Sequence, residues 1–352
     1  MSRTYKRSSI KGLRYLNLGS PIYAQMELTS RCNYDCSFCY NIWKVNSLTN
    51  LPELSREQAL SIAKELINLH IFSVILSGGE PTLVPYLMEL IDIFAENEID
   101  VTMITNGSKI TNQFAKDLKT AGLQHIQISM HHYSKDVFNR LTSNRYSYEL
   151  TSQGIKNAIE VFSNNLNVNM VVLPETVQDI STMALFLMQL GVESMSVSLA
   201  STSGQALKNN ISCTRRDLLR TYEEAKKVSK EIQISFVGGL PFCGLPKDYD
   251  PSIISMANIC DAALTQVVIG PNGGIRPCVE WPVEAGNIFN DSLKEIWQHS
   301  PVFKNIRKFK NVPNECIDCE EVAYCHGGCR ASALAMTGDV RGKDPLMNEG
   351  GT

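Results

Sequence analysis

Short apolar runs alternate with longer amphipathic stretches from about residue 22 to residue 237. IYAQMELT (22–29), FSVILS (72–77), IDVTMIT (99–105), LQHIQISM (123–130), NVNMVVL (167–173) and ESMSVSLA (193–200) have the length and composition of strands. Between them lie helical patterns such as SREQALSIAKELINLH (55–70), where Ala59, Ile62, Ala63, Leu66 and Leu69 fall on one face. Ser55 followed three residues later by Gln58 predicts a capping box at its start. Six βα units in succession predict a parallel sheet, either doubly wound and open or curled into a barrel. After about residue 240 Gly, Pro and Cys become dense, and PNGGIRPC (271–278) predicts a hairpin. The pattern therefore divides into a tail over 1–21, an α/β domain over 22–237 and a small Cys-rich domain over 240–352.

The balance of 43% hydrophobic and 20% charged residues is that of a folded globular chain. A net charge of −3 gives no global attraction to nucleic acid or to an anionic membrane. Arg3, Lys6, Arg7, Lys11 and Arg14 make the tail basic, which predicts a solvated arm. No apolar run is long enough to span a bilayer and no signal peptide opens the chain, so the expected location is the cytoplasm. Eleven cysteines in a reducing compartment point to metal and not to disulfides.

The first cysteines, Cys32-x3-Cys36-x2-Cys39, follow the first predicted strand directly. Soft thiolates suit iron–sulfur clusters or zinc. Three on one loop can hold three irons of a 4Fe–4S cluster and leave the fourth open to a cofactor, whereas zinc more usually takes two paired motifs. Loops at the carboxyl edge of barrel strands are also where such folds carry their chemistry. The second predicted strand ends in Ser77-Gly78-Gly79-Glu80-Pro81, with two glycines that would let a ligand approach the backbone.

CxxxCxxC with an aromatic, Phe38, before its last cysteine, together with this SGGEP segment, resembles the radical S-adenosylmethionine (SAM) superfamily. The resemblance implies a 4Fe–4S cluster on Cys32, Cys36 and Cys39, Phe38 near the adenine, and Gly78, Gly79 and Glu80 at the methionine amino group. It further implies Ser129 at the ribose and Arg140 near the SAM carboxylate. His131 and His132 stand where many relatives have Asp-Gly, either lining the pocket or exposed on a loop.

Cys316-x2-Cys319-x5-Cys325-x3-Cys329, with Cys260-x12-Gly273-x4-Cys278 upstream, looks like a SPASM domain, the extension that binds auxiliary clusters. The implied fold is a partial (β/α)6 TIM-like barrel followed by a small Cys-rich SPASM domain. By resemblance Cys260, Cys278 and Cys329 serve one auxiliary 4Fe–4S cluster, with Cys243 a possible fourth ligand, and Cys316, Cys319 and Cys325 serve a second. The chain departs from the pattern at its end. Gly338-Asp339 and Asp344-Pro345 are present, but Leu346-Met347 follows and no cysteine comes later. A zinc ribbon over Cys316–Cys329 is the competing account. Cys213 fits no cluster and reads as a buried thiol or, as a catalytic candidate, a hydrogen donor to a substrate radical.

The implied chemistry is reductive cleavage of SAM to a 5′-deoxyadenosyl radical that abstracts hydrogen from a substrate, fed by a donor such as flavodoxin or ferredoxin. Peptide or protein maturation is the first expectation for the substrate, and a small biosynthetic intermediate such as a tetrapyrrole or antibiotic precursor is the second. About 20 residues precede the first predicted strand, so no winged-helix peptide-recognition domain is expected ahead of the barrel. A non-catalytic zinc or cluster-binding module would leave SGGEP after the second strand unexplained.

Overall fold

The computed structural model describes residues 18–44, 52–254 and 260–347. The basic arm up to residue 17 lies outside the described residues. Seven parallel strands stand side by side in chain order: β1 (Tyr23–Glu27), β2 (Ser73–Ser77), β3 (Asp100–Thr105), β4 (His125–Ser129), β5 (Leu166–Val172), β6 (Ser194–Leu199) and β7 (Gln233–Phe236). The first six are the expected strands. The seventh, with Gln233 and Ser235 among its four residues, is too short and too polar to stand out in the sequence.

Parallel pairing demands a long crossover between strands, and helices fill each one. They are α1 (Arg56–Asn68), α2 (Leu87–Glu96), α3 (Asn112–Thr120), α4 (Lys135–Leu141), α5 (Ser147–Phe162), α6 (Ile180–Gln189), α7 (Gly204–Lys208) and α8 (Arg215–Val228). The capping box at α1 is formed in both directions between Ser55 and Gln58.

Alternation along the strands sorts the two faces of the sheet. Met26, Val74, Leu76, Val101, Met103 and Val168 are fully buried and join the helix side chains in one core. The opposite face is polar: Gln25 Nε2 donates to Ser77 Oγ at 2.7 Å, and Ser196 Oγ donates to Asn169 Oδ1 at 3.0 Å. The barrel interior is therefore lined by polar side chains that hydrogen-bond across neighbouring strands.

The Cys-rich region extends this sheet from the β1 edge. β8 (Gln266–Ile269) pairs parallel with β1, from Tyr23↔Gln266 to Met26↔Ile269. A hairpin then leads to β9 (Gly274–Arg276), and β10 (Gly286–Asn287) pairs antiparallel with β9. The final helices are α9 (Leu293–His299), α10 (Pro301–Arg307), α11 (Val322–Cys325) and α12 (Arg330–Thr337). β10 and β7 are the two ends of the ten-stranded sheet, which leaves the barrel open.

One ion pair locks the two regions together. Arg276 on β9 donates to Glu27 on β1, with side chains 0% and 2% exposed. Trp43 Nε1 donates to the same Glu27 Oε2 at 3.3 Å, and the guanidinium lies over the Trp43 ring. The other end of Arg276 donates to the Val279 carbonyl at 2.8 Å, which fixes the backbone just after Cys278. A buried charge stripped of its partner is costly. Glu27→Gln should therefore lower stability by about 3–5 kcal/mol in anaerobic denaturant titrations of the holoprotein, and Glu27→Gln/Arg276→Met should recover part of that loss.

Candidate radical SAM site

The first cysteine loop is held from several sides. Asp35 and Ser37 donate their amides to the carbonyls of Thr142 and Leu141, both at 3.0 Å, and Gln205 donates to the Cys39 carbonyl at 2.7 Å. Tyr34 N–H points at Cys32 Sγ at 3.4 Å, and Asn106 Nδ2 at the same sulfur at 3.8 Å. Amide donors aimed at a sulfur favour its thiolate.

The glycines of SGGEP admit protein backbone. Gly78 sits at φ +134°, where a Cβ would lie 2.4 Å from the Thr29 carbonyl oxygen, and a Cβ on Gly79 would lie 2.0 Å from that of Arg31. The segment that runs into Cys32 crosses here, tied down by Gly79 N–H to Thr29 O at 2.5 Å and Glu80 N–H to Arg31 O at 2.8 Å. At both positions the missing side chain leaves room for the backbone that leads into the cysteine loop. Glu80 is 1% exposed, and its carboxylate accepts from Thr82 N and Oγ1, Thr105 Oγ1 and Asn106 N. Burial raises its pKa while these four donors pull it down. Glu80 therefore joins the ends of β2 and β3 under the cysteine loop.

Phe38 is buried with Leu141, Leu173, Ala200, Ala206 and Cys213. The ring of His131 meets Phe38 edge-on at 4.7 Å, and its Nδ1 accepts the Val171 N–H at 3.2 Å. Burial drives the His131 pKa down to about 3. His132 accepts from Ser134 N–H through Nδ1 at 2.9 Å and faces Asp179 with Nε2 at 3.3 Å. Both histidines are buried, so neither is an exposed loop residue. Ser129 ends β4 on the same face as Gln127, toward the polar interior. Arg140 lies at the surface in a two-pronged pair with Glu175, at 3.2 and 3.0 Å, which a ligand carboxylate would have to displace. Cys213 is 3% exposed, and its S–H points at the Val172 carbonyl at 3.4 Å; burial raises its pKa to about 12.

All eleven cysteines are free, and those of the C-terminal region fall into two groups. Cys278 lies within electrostatic reach of Cys260, and Cys329 of Cys278. Glu280 sits among these three: Cys329 Sγ donates to its Oε2 at 3.6 Å, and its charge raises the pKa of each thiol. Cys316 is within reach of Cys325, Cys319 and Cys243. Cys243, expected as a fourth ligand with Cys260, thus stands beside the other group.

Among the described residues no three His, Cys, Asp or Glu side chains are grouped so as to hold a single metal ion. A four-iron cluster asks for a wider spread, because each thiolate takes a different iron. Burial raises the pKa of Cys260 to about 11 and of Cys316 to about 12, and of Cys278, Cys325 and Cys329 as well. Buried acids facing one another repel when ionised, so these donor sets suit a cationic centre among them.

Comparison with known proteins agrees with this geometry. The sequence profile of the radical SAM superfamily matches residues 26–187, and that of the SPASM iron–sulfur cluster-binding domain matches residues 260–320. The chain belongs to the radical SAM superfamily. It is an enzyme of the SPASM-containing branch, and its cofactors are SAM, the SAM-binding 4Fe–4S cluster and auxiliary iron–sulfur clusters. The PqqA peptide cyclase of Ruegeria pomeroyi is 28% identical over 342 residues, 95% of this chain and 88% of the relative. The mycofactocin maturase MftC of Mycolicibacterium smegmatis is 26% identical, over 95% of this chain and 84% of the relative. Among solved structures, Streptococcus suis SuiB bound to its precursor peptide SuiA superposes with a TM-score of 0.75 at 19% identity, covering 94% of this chain and 76% of that one. AdoMet-bound anSMEcpe gives 0.71 at 18%, covering 93% and 94%.

Sequence reading missed Glu280 and the polar strand face. The alternation Asn167, Asn169 and Ser194, Ser196, Ser198 was the available signal for that face. Two outcomes follow from the geometry. Gly79→Ala drives a methyl into the Arg31 carbonyl, so first-site iron, roughly four per chain, should be lost while auxiliary iron stays, as read by iron analysis and EPR. His131 is buried neutral, and below its unfolded pKa of about 6.5 the unfolded chain takes up a proton that the native one refuses. Stability should fall as pH drops from about 6.5 toward 3, by about 2 kcal/mol at pH 5, and His131→Gln should remove that slope in denaturant titrations.

Proposed function

We propose that this enzyme modifies a peptide or protein segment during its maturation, in the cytoplasm, with electrons from a flavodoxin- or ferredoxin-type donor. The observation that carries the reading is the 95% of the chain shared with relatives named as a peptide cyclase and a maturase, through both the barrel and the Cys-rich region. SuiB, similar in fold, has a precursor peptide bound.

In this reading Cys32, Cys36 and Cys39 hold the SAM-binding cluster. Phe38, Gly78, Gly79, Glu80, Ser129 and Arg140 form the surroundings of SAM. Cys260, Cys278 and Cys329 serve the first auxiliary site, and Cys316, Cys319 and Cys325 the second. When bound, the cluster and SAM supply a 5′-deoxyadenosyl radical that takes hydrogen from a substrate carbon. The chain's own part is positional. Gln25, Asn169 and Ser196 offer hydrogen bonds inside the barrel, while the buried Phe38–Leu173–Cys213 cluster keeps water from one wall.

A cavity of about 920 Å³ lies between the turn after β5, the Arg215–Glu224 side of α8 and the C-terminal tail. Arg215, Arg216 and Arg220 face it, with Val177 and Met347 among its apolar walls. Glu223 and Glu224 line it too, but Glu224 is paired with Lys227, so three guanidinium groups outnumber the carboxylates and suit an acidic stretch of peptide.

Incubation with SAM, a reductant and peptides encoded by adjacent genes should yield 5′-deoxyadenosine and a peptide mass change, or solvent deuterium if the product is an epimer. A Cys32/Cys36/Cys39→Ala triple variant should lose all SAM cleavage yet keep auxiliary iron. Arg216→Glu/Arg220→Glu should raise KM for an acidic peptide at least tenfold and leave peptide-independent SAM cleavage unchanged. Stimulation by a small metabolite alone, with no encoded peptide altered, would replace the peptide reading with the small-molecule one.

A further inference from the structure

The second auxiliary group is one cysteine short, because Leu346-Met347 occupies the end of the chain's pattern. The structure shows what stands next to that position. After β7 the backbone makes a tight turn over Phe242–Gly244 and presses onto the C-terminal segment. A Cβ on Gly244 would lie 2.4 Å from the Leu346 carbonyl oxygen and 3.2 Å from Leu218, so only glycine lets the two backbones meet there. Met347 and Cys319 both pack against the buried cluster of Phe309, Val312, Cys316 and Val322.

The same turn faces the thiols. The Phe242 backbone hydrogen-bonds the Cys325 sulfur, and Cys243, the next residue, lies within electrostatic reach of both Cys325 and Cys316. Leu346 N–H donates to Asp344 Oδ1 at 2.7 Å and Met347 N–H to the Asp344 carbonyl at 3.0 Å, while Asp344 Oδ2 accepts the Cys329 N–H at 2.5 Å, so the tail is tied beside the cysteine segment. Cys316 and Cys325 are buried while Cys243 is exposed, at the rim of the group.

We infer that Cys243 supplies the fourth protein ligand of the second auxiliary iron–sulfur site, from the turn after β7, in place of the missing C-terminal cysteine. This rests on the reading of Cys316, Cys319 and Cys325 as cluster ligands. The chemistry favours Cys243 over Met347, since a thiolate is a strong donor to ferric iron and a neutral thioether a weak one. The thiol gives up its proton to solvent on binding. Met347 then keeps a packing role, which its contacts already describe. The site becomes closed, with four protein ligands, and suits electron transfer better than substrate binding.

The test uses full-length protein purified and reconstituted anaerobically, with iron and sulfide content, Mössbauer and EPR spectra as readouts. Cys319→Ala should lose roughly four irons per chain, and Cys243→Ala roughly one to four, with altered spectra of one cluster only. Cys243→Ala/Met347→Cys should regain the iron and the wild-type spectrum. Cys243→Ala with wild-type iron and spectra, beside a Cys319→Ala that loses iron, would overturn the assignment of Cys243 and leave the second site standing. Cys319→Ala indistinguishable from wild type would remove the site itself and the inference with it. Iron lost in Cys243→Ala but not restored by Met347→Cys would count against ligation and make Cys243 a residue of the fold.

Discussion

The buried pair between Glu27 and Arg276 is the constraint around which the rest is arranged. It joins a barrel strand to a hairpin of the Cys-rich region with both charges out of water. Such a pair is rarely a source of net stability, since desolvation consumes most of the attraction. What it does provide is registry. Glu27 ends β1, five residues before Cys32, and Arg276 stands two residues before Cys278. A slip of β8 against β1 would separate the charges and move both cysteine groups at once, so the pair couples the placement of one centre to that of the other.

The second constraint is the crossing of backbones at Gly78 and Gly79. A family motif read for its ligand is here first a clamp. Its glycines leave room for Thr29 and Arg31, and Glu80 gathers Thr82, Thr105 and Asn106 beneath them. Asn106 then reaches Cys32 with its side-chain amide. Motif and cysteine loop are one piece of structure, and a change in either is felt as a displaced thiolate.

Much of this was legible in the sequence because it is periodic. Six strands and the capped α1 follow from alternation, β-branched runs and the Ser55–Gln58 pair. The cysteine spacings gave the family, and the family gave the partial barrel. What escaped reading depends on distant residues. β7 is a strand because β6 lies beside it, not because QISF is a strong strand former. Glu280 is an ordinary loop acid in the sequence and becomes a half-buried neighbour of three thiols only after the β8–β9 hairpin folds. Cys243 looked too far from Cys260 to be a comfortable partner; the fold brings it instead to Cys316 and Cys325, 73 and 82 residues away in the chain. His131 gave no sign of whether it would be exposed or buried, since that is set by Phe38 and Phe138 packing on either side.

The two auxiliary groups differ in chemistry as well as position. The group of Cys260, Cys278 and Cys329 contains a carboxylate, Glu280, and the other a turn that brings a further thiol. Tyr40, half-buried next to Cys39, links the first group to the SAM-binding loop, with its hydroxyl within electrostatic reach of Glu27, Cys39, Arg276 and Glu280. The ion pair, the cysteine loop and the first auxiliary group therefore share one low-dielectric neighbourhood, in which a change of charge at any of them is poorly screened from the others. The second group lies farther along the chain's own scaffold, anchored by the turn after β7 and by the tail that forms one wall of the arginine-lined cavity. The arginine-lined cavity and the second auxiliary group thus meet at Met347, while the first cysteine loop, the ion pair and the first auxiliary group meet at Tyr40.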